Sequence, residues 1–162
     1  MFHVGFGSAQ REAEIRKIAT SDRTTALILA AVHFEWMLKR AILKLGESPS
    51  KDLRQQLEDV FRMQSKNGKD GYKEVWEREV GRRFKNAALG TVLGKLSRIQ
   101  IHALDVRGKV IHGNGTVKKS DADEAIELFL EAGEKLRDFA SKHRVDLDAR
   151  LKARPRPKAA KA

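Results

Sequence analysis

Proline is almost absent from the body of this chain, and that limits its fold more than any other feature of the 162 residues. Only Pro49 precedes residue 155; the other two are Pro155 and Pro157. A proline inside a helix removes a backbone hydrogen bond and clashes with the preceding turn, so a chain that avoids it keeps long helices open to it. The apolar pattern uses that freedom. Between Asp22 and Gly46, Leu27, Ile28, Ala31, Val32, Phe34, Leu38, Ala41, Ile42 and Leu45 recur at steps of three and four. They cover more than half of a helical circumference, as expected of the central helix of a bundle. Ser21 or Asp22 is placed to cap its start and Gly46 to end it.

The same periodicity predicts the other elements. Ser8 caps a short charged helix to about Ala19, with a thin apolar edge at Ile15 and Ile18. After the Pro49 turn, Ser50 caps a helix carrying Leu53, Leu57, Val60 and Phe61. A polar loop over 65–71 separates it from a helix spanning about 72–84. A later helix starts near Gly94 or Lys95 with Leu96, Ile99, Ala103, Val106 and Val110 on one side, and ends at Gly113. Ser120 or Asp121 caps the final helix, whose core face is Ala125, Leu128, Phe129, Ala132, Leu136 and Phe139. No β-branched alternation is present, so no sheet is expected and the class is all-α. Residues 1–143 read as one helical domain and 144–162 as a basic, disordered tail, because no apolar period continues past His143.

Charge restricts the partners. The formal net charge is +11 and the sequence pI about 10.1. The tail holds seven Lys/Arg against Asp146 and Asp148, which gives +5 and leaves +6 on the domain. Such a balance favours nucleic acid first. The chain has no cysteine, so no disulfide framework or thiolate metal site is expected, which suits a reducing cytoplasm. No cofactor or metal is expected. Residues Met1 to Gly7 have neither a basic nor a long apolar segment, so no signal peptide is expected. The longest apolar run, Ala26 to Val32, falls far short of the roughly 20 residues of a membrane span.

Four places are weighed for candidate chemistry. Glu35 lies on the apolar stripe Ile28–Ala31–Glu35–Leu38–Ile42, where a carboxylate needs a partner. Lys39 at i+4 is one choice; a cation on a neighbouring helix, such as Arg107, is the other. Arg78, Arg82, Arg83 and Lys85 form a basic cluster, either a solvated helix face or a track for backbone phosphates. His33 and His102 fall within predicted helices and read as structural; His3 and His143 carry no functional signal. The fourth place is Arg107-Gly108-Lys109-Val110-Ile111-His112-Gly113-Asn114-Gly115. Arg107 is permanently charged and offers a fork of donors matched to phosphate oxygens, whereas His112 exchanges a proton near neutrality. Together they suit RNA cleavage by the neighbouring 2′-hydroxyl, with proton transfer at the imidazole and charge stabilisation at the guanidinium. On an unbroken helix, five residues turn about 500°, which leaves the two side chains about 140° apart. Either the helix breaks between them, as Gly108 and Gly113 would permit, or the second half of the site comes from another subunit. Val110 and Ile111 are expected to pin this segment to the core.

These residues resemble the motif of the HEPN superfamily, an arginine, four to six residues, and a histidine late in an all-α domain. Val106 to Gly115 resembles the motif itself. Ser120-Asp121-Ala122-Asp123-Glu124-Ala125 resembles the start of the family's last helix, and Val32-His33-Phe34-Glu35-Trp36-Met37-Leu38 its first long core helix. The resemblance implies an up-and-down bundle of four to six helices, a homodimer that joins two motifs in one cleft, and metal-independent endoribonuclease activity giving a 2′,3′-cyclic phosphate. Under it, Arg107 and His112 are the catalytic pair, Glu35 and Asn114 supporting groups, and Lys109, Arg78, Arg82 and Arg83 RNA contacts. A role as toxin or defence effector, with an antitoxin partner, would follow. The sequence departs from the family at Gly108, where many active members carry Asn or Asp. It has Asn114 where one subgroup has a tyrosine that a partner enzyme modifies. The departure at Gly108 keeps a non-catalytic RNA-binding module as an alternative, and a helical interaction protein with a basic tail as another.

Overall fold

A computed structural model describes residues 5–62, 71–94, 96–98, 101–113 and 115–155. Most of the polar loop expected over 65–71, Asn114, and residues 156–162 therefore lie outside the described residues. The chain is an all-α bundle. Its elements are α1 (Ser8–Ala19), α2 (Arg23–Leu45), α3 (Ser50–Arg62), α4 (71–76, running on into a π-helical turn at Glu77–Gly81), α5 (Leu89–Leu93), α6 (Ala103–His112) and α7 (Lys119–Lys142). That makes seven helical segments among the described residues, one above the expected range.

The two long helices form the centre. Leu27, Phe34, Leu38 and Ile42 of α2 and Ile126, Phe129 and Leu136 of α7 are sealed from solvent, with the Phe34 and Phe129 rings 5.8 Å apart. Asp22 caps α2 by accepting from the Thr25 N–H at 3.0 Å, as expected, and Gly46 ends it. Side-chain pairs give the directions. Arg23 meets Asp123 at 2.7 Å, and Phe34 meets Phe129, so α2 and α7 run parallel. Glu12 meets Arg137 whereas Arg16 meets Glu127, so α1 runs against both. The central pair is thus not antiparallel, because the connection from α2 to α7 passes through all the intervening helices.

The α1 surface departs from its plain appearance in sequence. Helix α1 begins at Ser8, which does not precede it as a cap; Ser8 is itself buried and donates its hydroxyl to Asp148 at 2.8 Å. Glu12 is only 2% exposed. Its carboxylate takes both arms of the Arg137 fork, at 2.7 and 2.9 Å, and lies 3.1 Å from His33 Nε2.

Four further expectations need correction. Helix α6 starts at Ala103, about eight residues later than its apolar period suggests. Gly94 takes φ +65, a left-handed conformation that ends the preceding segment, and Ser97–Arg98 then pairs antiparallel with Ile101–His102 in a minimal ladder. His102 consequently precedes α6 and does not sit within a helix. Helix α7 begins at Lys119 with no side-chain cap, although Asp121 does fall in its first turn. The 72–84 helix is interrupted by the π-helical turn, which lets Glu79 reach back to the α2–α3 turn and accept from the Ser48 hydroxyl at 2.7 Å. Burial pushes the Glu79 carboxyl up, but bonds from Ser48, Arg78 and Glu47 outweigh it and hold it below the ordinary range.

The largest correction concerns the tail. Residues 144–155 form an ordered strap along the C-terminal half of α2 and onto the α2–α3 turn. Arg144 turns the chain at φ +59, and Leu147 is 1% exposed. Arg40 donates to the Leu147 and Ala149 carbonyls, and Lys44 to those of Asp146 and Ala149. Arg154 donates to the Leu43 carbonyl at 2.7 Å and to that of Ser48 at 3.0 Å. An extended strap has no helical period, so the sequence pattern that flags a helix is silent here. Deleting residues 144–162 should therefore lower the thermal midpoint rather than leave the domain untouched. Burial of one Leu side chain contributes about 1.5–3 kcal/mol, and a helix-terminal carboxylate such as Asp148 about 1 kcal/mol. A drop of at least ~5 °C is expected for a domain of this size; an unchanged melting curve would show the strap to be dispensable.

Candidate functional site

Arg107 and His112 sit on one unbroken helix. Residues 103–112 are all helical, and Gly113 closes α6 at φ 64, ψ 21, its N–H bonding back to Lys109 O. Gly108 does not break the helix, so the expected break between the pair is absent. The two side chains accordingly diverge by about 140° around the axis and are separated by about 7.5 Å along it. Within one chain they do not meet.

Each finds a different setting. Ala103 and Val106 are buried against α2 and α7, which fixes the angle at which Arg107 leaves the helix. Its side chain is 25% exposed and its Nη2 lies 3.7 Å from Glu35 Oε1, itself 24% exposed. Glu35 thus reaches the neighbouring-helix cation that its place on the apolar stripe suggested. A loose, partly solvated pair of this kind is worth about 0–1 kcal/mol. The guanidinium is oriented rather than consumed. His112 is exposed on the last turn, and its ring bonds to no described residue.

Two exposed apolar side chains flank the pair. Val32 is 53% exposed and lies three residues before Glu35; Ile111 is 42% exposed and lies four residues after Arg107. Residues three and four apart share a helix face, so the ion pair has an apolar shoulder on each helix. Ile111 was expected to anchor the motif to the core; it faces solvent instead, while Val110 packs inward. At Gly108 an added Cβ would meet nothing within 4 Å. The departure from Asn or Asp there is not imposed by packing.

The remaining candidates scatter. Lys109 is exposed on α6. Arg78 bonds to Glu79 at 3.2 Å and to Gln56, and Arg83 donates to the Leu45 carbonyl at 2.6 Å with Glu47 at 3.3 Å. Arg78 ties the π-helical turn to α3, and Arg83, just after that turn, ties it to the end of α2. The Arg82 side chain is exposed and bonds to no described residue. Leu45, where this cluster attaches, is ten residues along α2 from Glu35, about 15 Å. The cluster and the motif therefore occupy different levels of the bundle. His33 is buried against Glu12, and its Nδ1 has no partner among the described residues; the His102 Nδ1 is likewise buried and unpartnered. Neither ring is placed beside Arg107 or His112 by any described contact.

Among the described residues, no three His, Asp or Glu side chains group as metal ligands, and no helix is long and apolar enough to cross a membrane. A basic cleft beside the C-terminal end of α7 leaves only a faint trace in the sequence, the recurrence of Lys135, Asp138 and Lys142 at steps of three and four. No protein-family model, no curated protein and no solved structure matches the chain.

Proposed function

We propose that this chain is a metal-independent endoribonuclease of HEPN type, active as a homodimer in which each site pairs Arg107 of one copy with His112 of the other. The observation that carries the reading is the divergence of an oriented, partly exposed Arg107 and an exposed His112 on one continuous helix. A partly exposed guanidinium and an exposed imidazole suit phosphodiester chemistry, and their divergence on one helix favours a site completed by a second chain. Val32 and Ile111 support the same arrangement, since two-fold apposition of this α2–α6 face would cover both.

In the proposed step His112 takes the proton of the 2′-hydroxyl as its oxygen bonds to the adjacent phosphorus. Arg107 neutralises the phosphorane oxygens. The bond to the 5′-oxygen breaks, that oxygen takes a proton from water, and the products are a 2′,3′-cyclic phosphate and a 5′-hydroxyl. Glu35 keeps the guanidinium aimed. The open space at Gly108 favours a second reading, an RNA-binding module without turnover, because a side chain that would help hold the phosphate is missing.

Incubation of the protein with RNA in EDTA separates the two. Cleavage with cyclic-phosphate ends, lost by 10²-fold or more in His112→Ala at unchanged melting temperature, is the expected result. Retention of RNA without any cleavage would favour the binding module.

A further inference from the structure

The C-terminal end of α7 carries a second constellation. A cleft of about 550 Å3 opens between this end of α7 and the 85–92 segment. That volume is in the range of about 300–1,000 Å3 typical of small-molecule sites. Lys135 and Lys142 line it from α7, and Lys85 from the opposite wall. Asp138 is the one carboxylate in the lining. Three ammonium groups around one concavity repel each other, and a single carboxylate does not offset them.

The wall beneath is aromatic and fixed. The His143 ring stands 4.1 Å from that of Phe84 and 4.7 Å from that of Phe139, and Phe139 packs on the buried Trp76 at 5.9 Å. Lys135 is held at the rear. Its Nζ donates to Leu93 O at 3.4 Å and lies against the Gly94 backbone. Lys85 and Lys142 bond to no described residue. Asn86 and Thr91 add neutral hydrogen-bonding groups to the lining.

We propose that this cleft binds a nucleoside phosphate, its phosphate between Lys85, Lys135 and Lys142 and its base against the Phe139–His143 wall. Lysine ammonium groups are natural phosphate partners, and an aromatic wall accepts any base by stacking. None of Arg107, His112 and Glu35 lines this cleft. The proposal does not rest on the ribonuclease reading. The same chemistry arises from a free nucleotide or from the phosphorylated end of a strand.

Titration calorimetry on the full chain tests it with AMP, inorganic phosphate, and a short oligodeoxynucleotide with a 5′-phosphate or a 5′-hydroxyl. The deoxy strand has no 2′-hydroxyl to attack. AMP should bind more tightly than inorganic phosphate. The Lys85→Gln/Lys142→Gln variant should weaken AMP at least tenfold with its melting temperature preserved, while His112→Ala should bind as the native chain does. A 5′-phosphorylated strand binding more tightly than AMP, with the 5′-hydroxyl strand inert, would identify a strand end as the ligand; the reverse order would identify a free nucleotide. Absence of AMP binding by the native chain, or affinity unmoved by the double substitution, would overturn the proposal. In that case Lys142 serves only to complement the C-terminal end of the α7 dipole.

Discussion

Arg107→Ala and His112→Ala chains, each inactive alone, should regain about a quarter of native RNA cleavage when co-expressed or refolded together in equal amounts. Random pairing makes half of the dimers mixed, and each mixed dimer keeps one of its two sites intact, hence the quarter. The expectation follows from the unbroken helix. If the two residues acted within one chain, no mixture would recover anything. Arg107→Ala should lose activity without losing fold, because its 3.7 Å contact with Glu35 is solvated and weak. A dead mixture of well-folded dimers would remove the shared site, whatever the activity of the native protein.

Glu12→Ala should destabilise the bundle by about 3–5 kcal/mol, because it removes the carboxylate bonded to Arg137 and His33 and leaves a gap between them. Both arms of the Arg137 fork and the His33 ring converge on this one carboxylate. Chemical denaturation at neutral pH measures the loss; a change below ~1 kcal/mol would show that water replaces the carboxylate freely. The same site gives a pH dependence. Burial alone would raise the Glu12 carboxyl, but the bonds to His33 and Arg137 prevail and hold it below the ordinary value. A depressed folded value means that the contribution is present above the unfolded value, about 4.3, and fades as pH falls through the folded one. Glu79 acts in the same sense. Native protein should lose stability in acid below about pH 4.3, and Glu12→Gln should lose less of it over that range.

How far the sequence foretold this molecule depends on what carries each part. Helix α2 was legible from end to end because a cap, a period and a terminal glycine all agreed. Helix α6 is shorter than its apolar period implies, because Leu96 and Ile99 match that period by chance and a period cannot register the positive φ at Gly94. Glu12 was invisible. On a short charged helix, a carboxylate that binds a distant arginine has the same local pattern as one that faces water. Glu35 was legible for the opposite reason, since it interrupts an apolar stripe. For the motif, residue types and spacing named the pair, but only backbone geometry decides whether a lone glycine such as Gly108 bends a helix, and here it does not.

The strap has one more consequence. Arg40, Lys44 and Arg154 spend their donors on backbone carbonyls, which are dipoles and cancel no charge. Salt-bridged cations such as Arg16 and Arg23 fall electrostatically silent at long range, but these three do not. They are immobilised, with Asp146, Asp148 and Glu79 offsetting only part of their charge, and Arg144, Arg150 and Lys152 of the same segment add to it. This side of the bundle is therefore a stationary electrostatic beacon. Under the proposed function, such a field would speed the approach of RNA without contacting the bond to be cut.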